Sequence, residues 1–171
     1  MKEAMGLVAD LMAVSARTAP KAAGKDFVEV KVVQGEELQA LAREMKKYGE
    51  EAGKVNFDRD GANVEASDAM LLLSLKKAAP VGLNCGACGF DRCQDLHVKK
   101  GPEFDGPLCA WRLVDLGIAL GSAVKTAGIL NADNRIMYRA GVLAKKMGLI
   151  EGEMVVGVPL SATGKSIYFD R

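Results

Sequence analysis

Four cysteines are the residues of this sequence whose type and spacing could do chemistry. They are Cys85, Cys88, Cys93 and Cys109, spaced C-x2-C-x4-C-x15-C, and the chain has no others. Isolated structural cysteines act as small buried hydrophobes and have no reason to gather in this way. Thiolate is a soft ligand that selects zinc or an iron–sulfur cluster over magnesium or calcium. The spacing therefore predicts that the four sulfurs converge on one site near the surface and ligate a common cluster or ion.

Disulfide bonds are the other use for an even number of cysteines. They are typical of secreted chains of fewer than about 100 residues, which cannot build a sufficient core. This chain has 171 residues, and a chain of that size buries roughly 70% of its unfolded surface. Glu3 and Asp10 interrupt the first apolar stretch, and no apolar run reaches the roughly 18 residues of a membrane span. We expect a cytoplasmic protein in a reducing compartment, with its cysteines free to bind metal.

The charge balance limits the classes of partner. The chain has 23 basic and 22 acidic residues, a net charge of +1, and only 5% aromatic residues. This composition gives no electrostatic reason to bind nucleic acid or an anionic membrane. We expect neither as a partner.

The cysteine spacing favours a 4Fe-4S cluster over zinc. Structural zinc sites commonly use two short knuckles, and here only Cys85 and Cys88 form one. A single loop that donates three thiolates suits a cuboidal cluster, which is larger than one ion. The same loop contains Gly82, Gly86 and Gly89, which let the backbone wrap closely through positive φ angles. A structural zinc held by the four cysteines remains the alternative.

The apolar periodicity predicts the elements that must position these cysteines. Helices are expected at 2–18, 36–48, 113–129 and 137–147, with a short helical piece near 91–98. Strands are expected at 27–33, 69–75 and 154–160, and residues 165–169 form either a further strand or an extended tail. The run 69–75 is apolar throughout and could also be a buried helix segment. Residues 56–63 are polar and are predicted to be a solvated loop.

This order of elements predicts an α+β domain with a central sheet covered by helices. We expect one domain over 1–171, with the cysteine-rich segment 80–110 inserted within it. Trp111 and Phe104 flank Cys109 in the sequence, and we expect them to shield the metal site from water.

The segment 84–93, Asn-Cys-Gly-Ala-Cys-Gly-Phe-Asp-Arg-Cys, resembles the four-cysteine 4Fe-4S domain of corrinoid iron–sulfur proteins and of the B subunits of membrane-bound ferredoxin:NAD oxidoreductases. The whole chain resembles the uncharacterised ferredoxin-domain-containing proteins of anaerobic bacteria and archaea, in which such a loop is inserted in a nitroreductase-like domain. Residues 17–21 and 147–159 are similar to nitroreductase segments after the first helix and in the late helix-to-strand passage.

The nitroreductase resemblance implies a flavin mononucleotide (FMN) between two subunits. Its phosphate would contact Arg17, at the end of the first predicted helix, or Lys21, just after it, and its ring would lie toward the cysteine loop. The alternative role for both side chains is favourable charge at a helix C-terminus. The resemblance thus implies a redox protein that transfers electrons through its cluster, and an oxidoreductase if flavin binds.

The helix predicted at 113–129 suggests self-association. It is nearly uncharged and carries small residues that would let two backbones approach, beside larger apolar ones: Ala119, Gly121, Ser122 and Ala123, with Leu116, Ile118 and Leu120. We expect a homodimer whose interface uses this helix. Ordinary burial inside one domain would produce the same composition.

Overall fold

The computed structural model describes residues 1–169. Five α-helices lie in this part of the chain: α1 Lys2–Thr18, α2 Gly35–Ala52, α3 Phe57–Glu65, α4 Ala110–Ile129 and α5 Tyr138–Lys146. Its strands are β1 Val28–Gln34, β2 Ala69–Leu75, β3 Asp133–Asn134 and β4 Met154–Ser161. They form one antiparallel sheet in the order β1-β2-β4-β3. The α+β class is confirmed.

The central strand β2 separates two hydrophobic clusters. Leu71, Leu73 and Leu75 point toward α1 and α4, whereas Met70 and Leu72 point toward α2 and α5. Alternate residues of a strand face opposite sides of a sheet, so a strand covered on both faces is apolar at every position. This explains the unbroken apolar run at 69–75 and decides for strand over helix.

The first helix ends where the sequence requires. Pro20 disfavours helical backbone at the preceding residue, and Ala19 is accordingly extended, with φ −59° and ψ 141°. Met5, Val8 and Met12 face the sheet from α1. The helix expected at 2–18 is confirmed at both ends, which fixes the position of Arg17 at its last turn.

The prediction of a loop at 56–63 is wrong, because α3 occupies Phe57–Glu65. Phe57 and Val64 are buried two turns apart on one face. Asp60 lies between them and is also buried. Its carboxylate binds Arg59 at 2.8 Å and Arg139 at 2.9 Å. These ion pairs allow the Asp60 carboxylate to be buried, although its charge had indicated a residue exposed to solvent.

The other elements follow the sequence with shifted ends. The helix predicted at 36–48 extends to Ala52, and that predicted at 113–129 begins at Ala110. Residues 165–169 form no strand, and the short β3 was not predicted. Within residues 1–169, none of the helices combines the length and apolar character needed to cross a membrane.

Candidate metal centre

The cysteine segment connects the central strand to the long helix. It leaves β2 after Leu75 and reaches α4 at Cys109, which is the N-cap residue of that helix. Between them, residues 76–108 contain the short 3-10 helix Cys93–Asp95 and an isolated antiparallel bridge between Lys99 and Gly106. Both ends of the segment are thus joined to elements of the core, whereas Cys85, Cys88 and Cys93 lie in the stretch between them.

All four cysteines line one cavity. Its other walls are mainly apolar and include Val81, Leu83, Phe90, Ala110 and Trp111. Cys109 is buried, Cys88 and Cys93 are half-buried, Cys85 is exposed, and all four thiols are free. Across residues 1–169, no three or more His, Cys, Asp or Glu side chains are grouped closely enough to hold a metal ion. The four thiols share the lining of one cavity.

Backbone conformation and one reciprocal contact shape the cysteine loop. Gly82, Gly86 and Gly89 have φ angles of +94°, +73° and +86°, which glycine adopts without steric cost. The amide of Asn84 donates to the Cys93 sulfur at 3.3 Å, and the Cys93 amide donates to Asn84 Oδ1 at 2.8 Å. The two ends of the segment 84–93 are thereby joined.

Cys85 is the thiol with the most distinct electrostatic environment. Hydrogen bonds from the Ala87 amide and then from the Trp111 indole hold the pKa of the Cys85 thiol below its usual range. Both donors stabilise a negatively charged sulfur, which is the form that binds metal. The cavity thus favours the ligating state of its most exposed cysteine.

The two aromatic residues expected to shield the site differ in position. Trp111 lines the cavity. Phe104 instead packs edge-on against Tyr138, with ring centroids 5.5 Å apart, and lies against the cluster of buried residues around α2 and α5. Of these two aromatic residues, Trp111 is the one that lies beside the cysteines.

Arg112 is a site-organising residue that the cysteine pattern did not reveal. It lies one turn after Cys109, and its side chain is 1% exposed. Its guanidinium donates to the carbonyls of Ala79 and Ala22 at 2.9 Å each and to Asp115 at 3.0 Å. Arg112 therefore holds three parts of the chain together. These parts are the start of the cysteine segment, the loop after α1 and the start of α4. The available signal was an Arg-x-x-Asp pair in an otherwise nearly uncharged helix.

Arg17 and Lys21 both lie at the C-terminal end of α1. The Lys21 ammonium donates to the carbonyls of Ala16 and Arg17 at 2.8 and 2.9 Å, and its side chain is 5% exposed. Arg17 binds Asp26 at 3.2 Å with its side chain 55% exposed. Lys21 thus neutralises the helix terminus and does not fit a phosphate ligand in this arrangement. Arg17 is the more accessible of the two, but its guanidinium also donates to the Val28 carbonyl at 2.9 Å, so a phosphate would compete with Asp26 for its charge.

Sequence relatives decide the family of this chain. The model of the family described as "uncharacterized protein containing a ferredoxin domain" (DUF2148) matches residues 105–171. An "uncharacterized protein" of Archaeoglobus fulgidus is 50% identical over 171 residues, covering 99% of this chain and 92% of the archaeal protein. The chain belongs to this ferredoxin-domain family. The segment matched by the family model includes Cys109 and excludes the other three cysteines.

Solved structures identify the fold as nitroreductase-like. A nitroreductase of Desulfitobacterium hafniense with bound FMN superposes with a TM-score of 0.59 at 17% identity, covering 93% of this chain and 78% of that protein. A Lactococcus lactis nitroreductase in complex with nicotinic acid gives 0.58 at 16% identity, covering 96% and 83%. At sequence identities of 16–17%, this structural similarity establishes the fold of this chain but not its chemistry.

Proposed function

We propose that this protein is a cytoplasmic iron–sulfur redox protein whose four cysteines hold a 4Fe-4S cluster. The observation that carries the proposal is the lining of one apolar cavity by Cys85, Cys88, Cys93 and Cys109. Membership of a family described by its ferredoxin domain supports it. When bound, such a cluster would exchange single electrons with a partner protein or a flavin.

The residues of the chain would hold and tune the cluster. Four thiolates supply the ligands, and Leu83 and Trp111 in the wall of the cavity restrict the access of water. Hydrogen bonds to cluster sulfurs and exclusion of solvent are the means by which a protein sets a cluster potential. The Trp111 indole, the Ala87 amide and the Asn84 amide are the donors available for this purpose.

Structural zinc is the competing function for the same residues. Zinc binds thiolate at about 2.3 Å, which brings four sulfurs to within about 4 Å of one another. The spacing of the cysteines favours the cluster, because structural zinc sites commonly use two short knuckles and only Cys85 and Cys88 form one. Protein prepared without air is expected to be brown and to contain iron and acid-labile sulfide. Stoichiometric zinc without sulfide would establish the non-redox alternative.

We further propose that FMN binds near the end of α1, with its phosphate on Arg17 and its ring toward the cysteine loop. The D. hafniense nitroreductase of the same fold contains FMN. Arg112 supports the pairing of the two cofactors, because it joins the loop after α1 to the helix that carries Cys109. A protein with both groups would be an oxidoreductase, since flavin can combine two single electrons.

Titration with FMN tests this arrangement directly. We expect Arg17→Ala to weaken binding about 10-fold, corresponding to one charge-assisted hydrogen bond. Lys21→Ala is expected to act mainly on stability, because the Lys21 ammonium is bound to the end of α1. Fluorescence quenching of FMN measures the affinity. No binding of FMN by the intact protein would remove flavin from the proposal while leaving the cluster in place, and equal binding by Arg17→Ala would contradict the phosphate contact assigned to Arg17.

The proposed homodimer would use the open face of α4. Leu116, Ala119 and Ala123 are buried within the chain and are not available to a partner. Val114 and Ile118 are 45% and 42% exposed, and a side chain added at Gly117 or Gly121 would meet nothing. An exposed apolar stripe of this kind is suited to association.

Light scattering at low micromolar concentration tests the dimer. Ile118→Glu is expected to convert dimer to monomer, since it buries a charge in the proposed interface. Val55→Glu is a matched control, because Val55 is 76% exposed outside this helix and should leave the dimer intact. An 18 kDa species in the unaltered protein would contradict the proposal.

A further inference from the structure

We propose that Asn84 is a positioning residue that closes the cysteine loop before the cluster binds. This inference rests on the proposed function, because it assigns a role toward that cluster. Asn84 precedes the first cysteine, and its two polar contacts both reach Cys93, nine residues later. It therefore controls the relative position of the first and third ligands.

The contact is reciprocal and uses different parts of Asn84. Its backbone N–H donates to the Cys93 sulfur at 3.3 Å, whereas its side-chain Oδ1 accepts from the Cys93 amide at 2.8 Å. The first bond places a donor on a ligand atom, and the second fixes the backbone that carries this ligand. The sulfur of Cys93 is thus held in a defined direction without metal.

Few other contacts in the loop could hold the Cys93 sulfur in position. Residues 82–87 are all exposed, so burial of apolar side chains contributes little there. Segments with few buried contacts open readily. The turn from Gly89 to Gly86, with an amide-to-carbonyl distance of 2.9 Å, orders the centre of the loop and leaves its ends separate. The Asn84–Cys93 pair closes those ends.

The conformation of Asn84 explains its residue type. Its φ of +49° lies in the left-handed region, which Asn tolerates better than most residues. Its neutral amide oxygen accepts a hydrogen bond without placing a negative charge beside the thiolates. Glycine would keep the backbone and the N–H to sulfur bond while losing Oδ1. Aspartate would keep an acceptor oxygen and add a charge.

These differences define a set of matched variants. Asn84→Gly removes only the side-chain half of the contact, and Asn84→Asp retains an acceptor for the Cys93 amide. Asn131→Gly is the control for the change of residue type, because Asn131 also has a positive φ, +54°, and follows α4 away from the cysteines. Each variant is prepared without air, with and without cluster.

Two measurements separate positioning from general stability. In reduced, cluster-free protein at pH 7, amide hydrogen exchange at Cys93 should accelerate about fivefold in Asn84→Gly, the change expected for one ordinary hydrogen bond. In cluster-loaded protein, iron should be lost to a chelator about 10-fold faster, as for other residues that orient metal ligands. Asn84→Asp should restore most of both values, and Asn131→Gly should match the unaltered protein.

The outcomes distinguish this inference from the function on which it rests. Unaltered protein that binds no iron would overturn the proposed function, and the role of Asn84 with it. Unaltered protein that binds iron, with unchanged Cys93 exchange or unchanged iron release in Asn84→Gly, would overturn the positioning role alone. Equal losses in Asn131→Gly would assign the effect to stability and also overturn it.

Discussion

Removal of the Cys109 thiol is expected to eliminate cluster binding. Cys109→Ala deletes the one proposed ligand at the N-cap of α4, whereas the other three belong to the preceding loop. This change leaves one iron atom of a 4Fe-4S cluster without its thiolate ligand from the chain and opens it to solvent. Iron and sulfide analysis of protein prepared without air should show near-complete loss, together with loss of the brown colour.

Arg92→Ala provides the matched control for this experiment. Arg92 lies in the same loop next to Cys93, and its side chain is 64% exposed and pairs with Asp95 at 3.0 Å. Loss of this exposed ion pair should leave the iron content unchanged, because such pairs contribute little. Full iron and sulfide in Cys109→Ala would contradict the four-ligand site and confine ligation to the loop.

The sequence was sufficient to nominate the cysteines but not the groups that organise them. Ligand spacing is a local property, so Cys85, Cys88 and Cys93 stand out along the chain. Asn84 has a positive φ and contacts Cys93 through both its backbone amide and its side chain. The donation from Trp111 to Cys85 joins residues from a loop and a helix. Such contacts depend on tertiary geometry, which spacing does not contain.

The fold shows the same division between local and distant causes. The end of α1 was predictable because Pro20 acts on its immediate neighbour. Helix α3 was missed because the buried Asp60 carboxylate is paired with Arg139, 79 residues away, as well as with its neighbour Arg59. Lys21 is a further case, since its ammonium turns back onto carbonyls of α1. The sequence pattern predicts the positive charge of Lys21 but not the direction of its side chain.

Loss of the Arg112 side chain is expected to cause a large loss of stability. Arg112→Met would keep most of the apolar volume but leave Asp115 without its cationic partner, in a position where that carboxylate is 5% exposed. The carbonyl groups of Ala79 and Ala22 would each also lose a hydrogen bond from the guanidinium. Breaking a buried ion pair from one side typically costs about 3–5 kcal/mol. Urea denaturation of reduced, cluster-free protein measures this free energy of unfolding.

Arg43→Met is the surface counterpart of this substitution. Arg43 is 57% exposed and pairs with Glu36, which is 81% exposed, so its loss should cost no more than about 1 kcal/mol. All proteins are compared at one concentration, because a dimer links stability to concentration. A similar small effect for both variants would contradict the role assigned to Arg112. The expected large difference would show that the α1 loop, the start of the cysteine segment and α4 are held together at the buried guanidinium, one turn from Cys109.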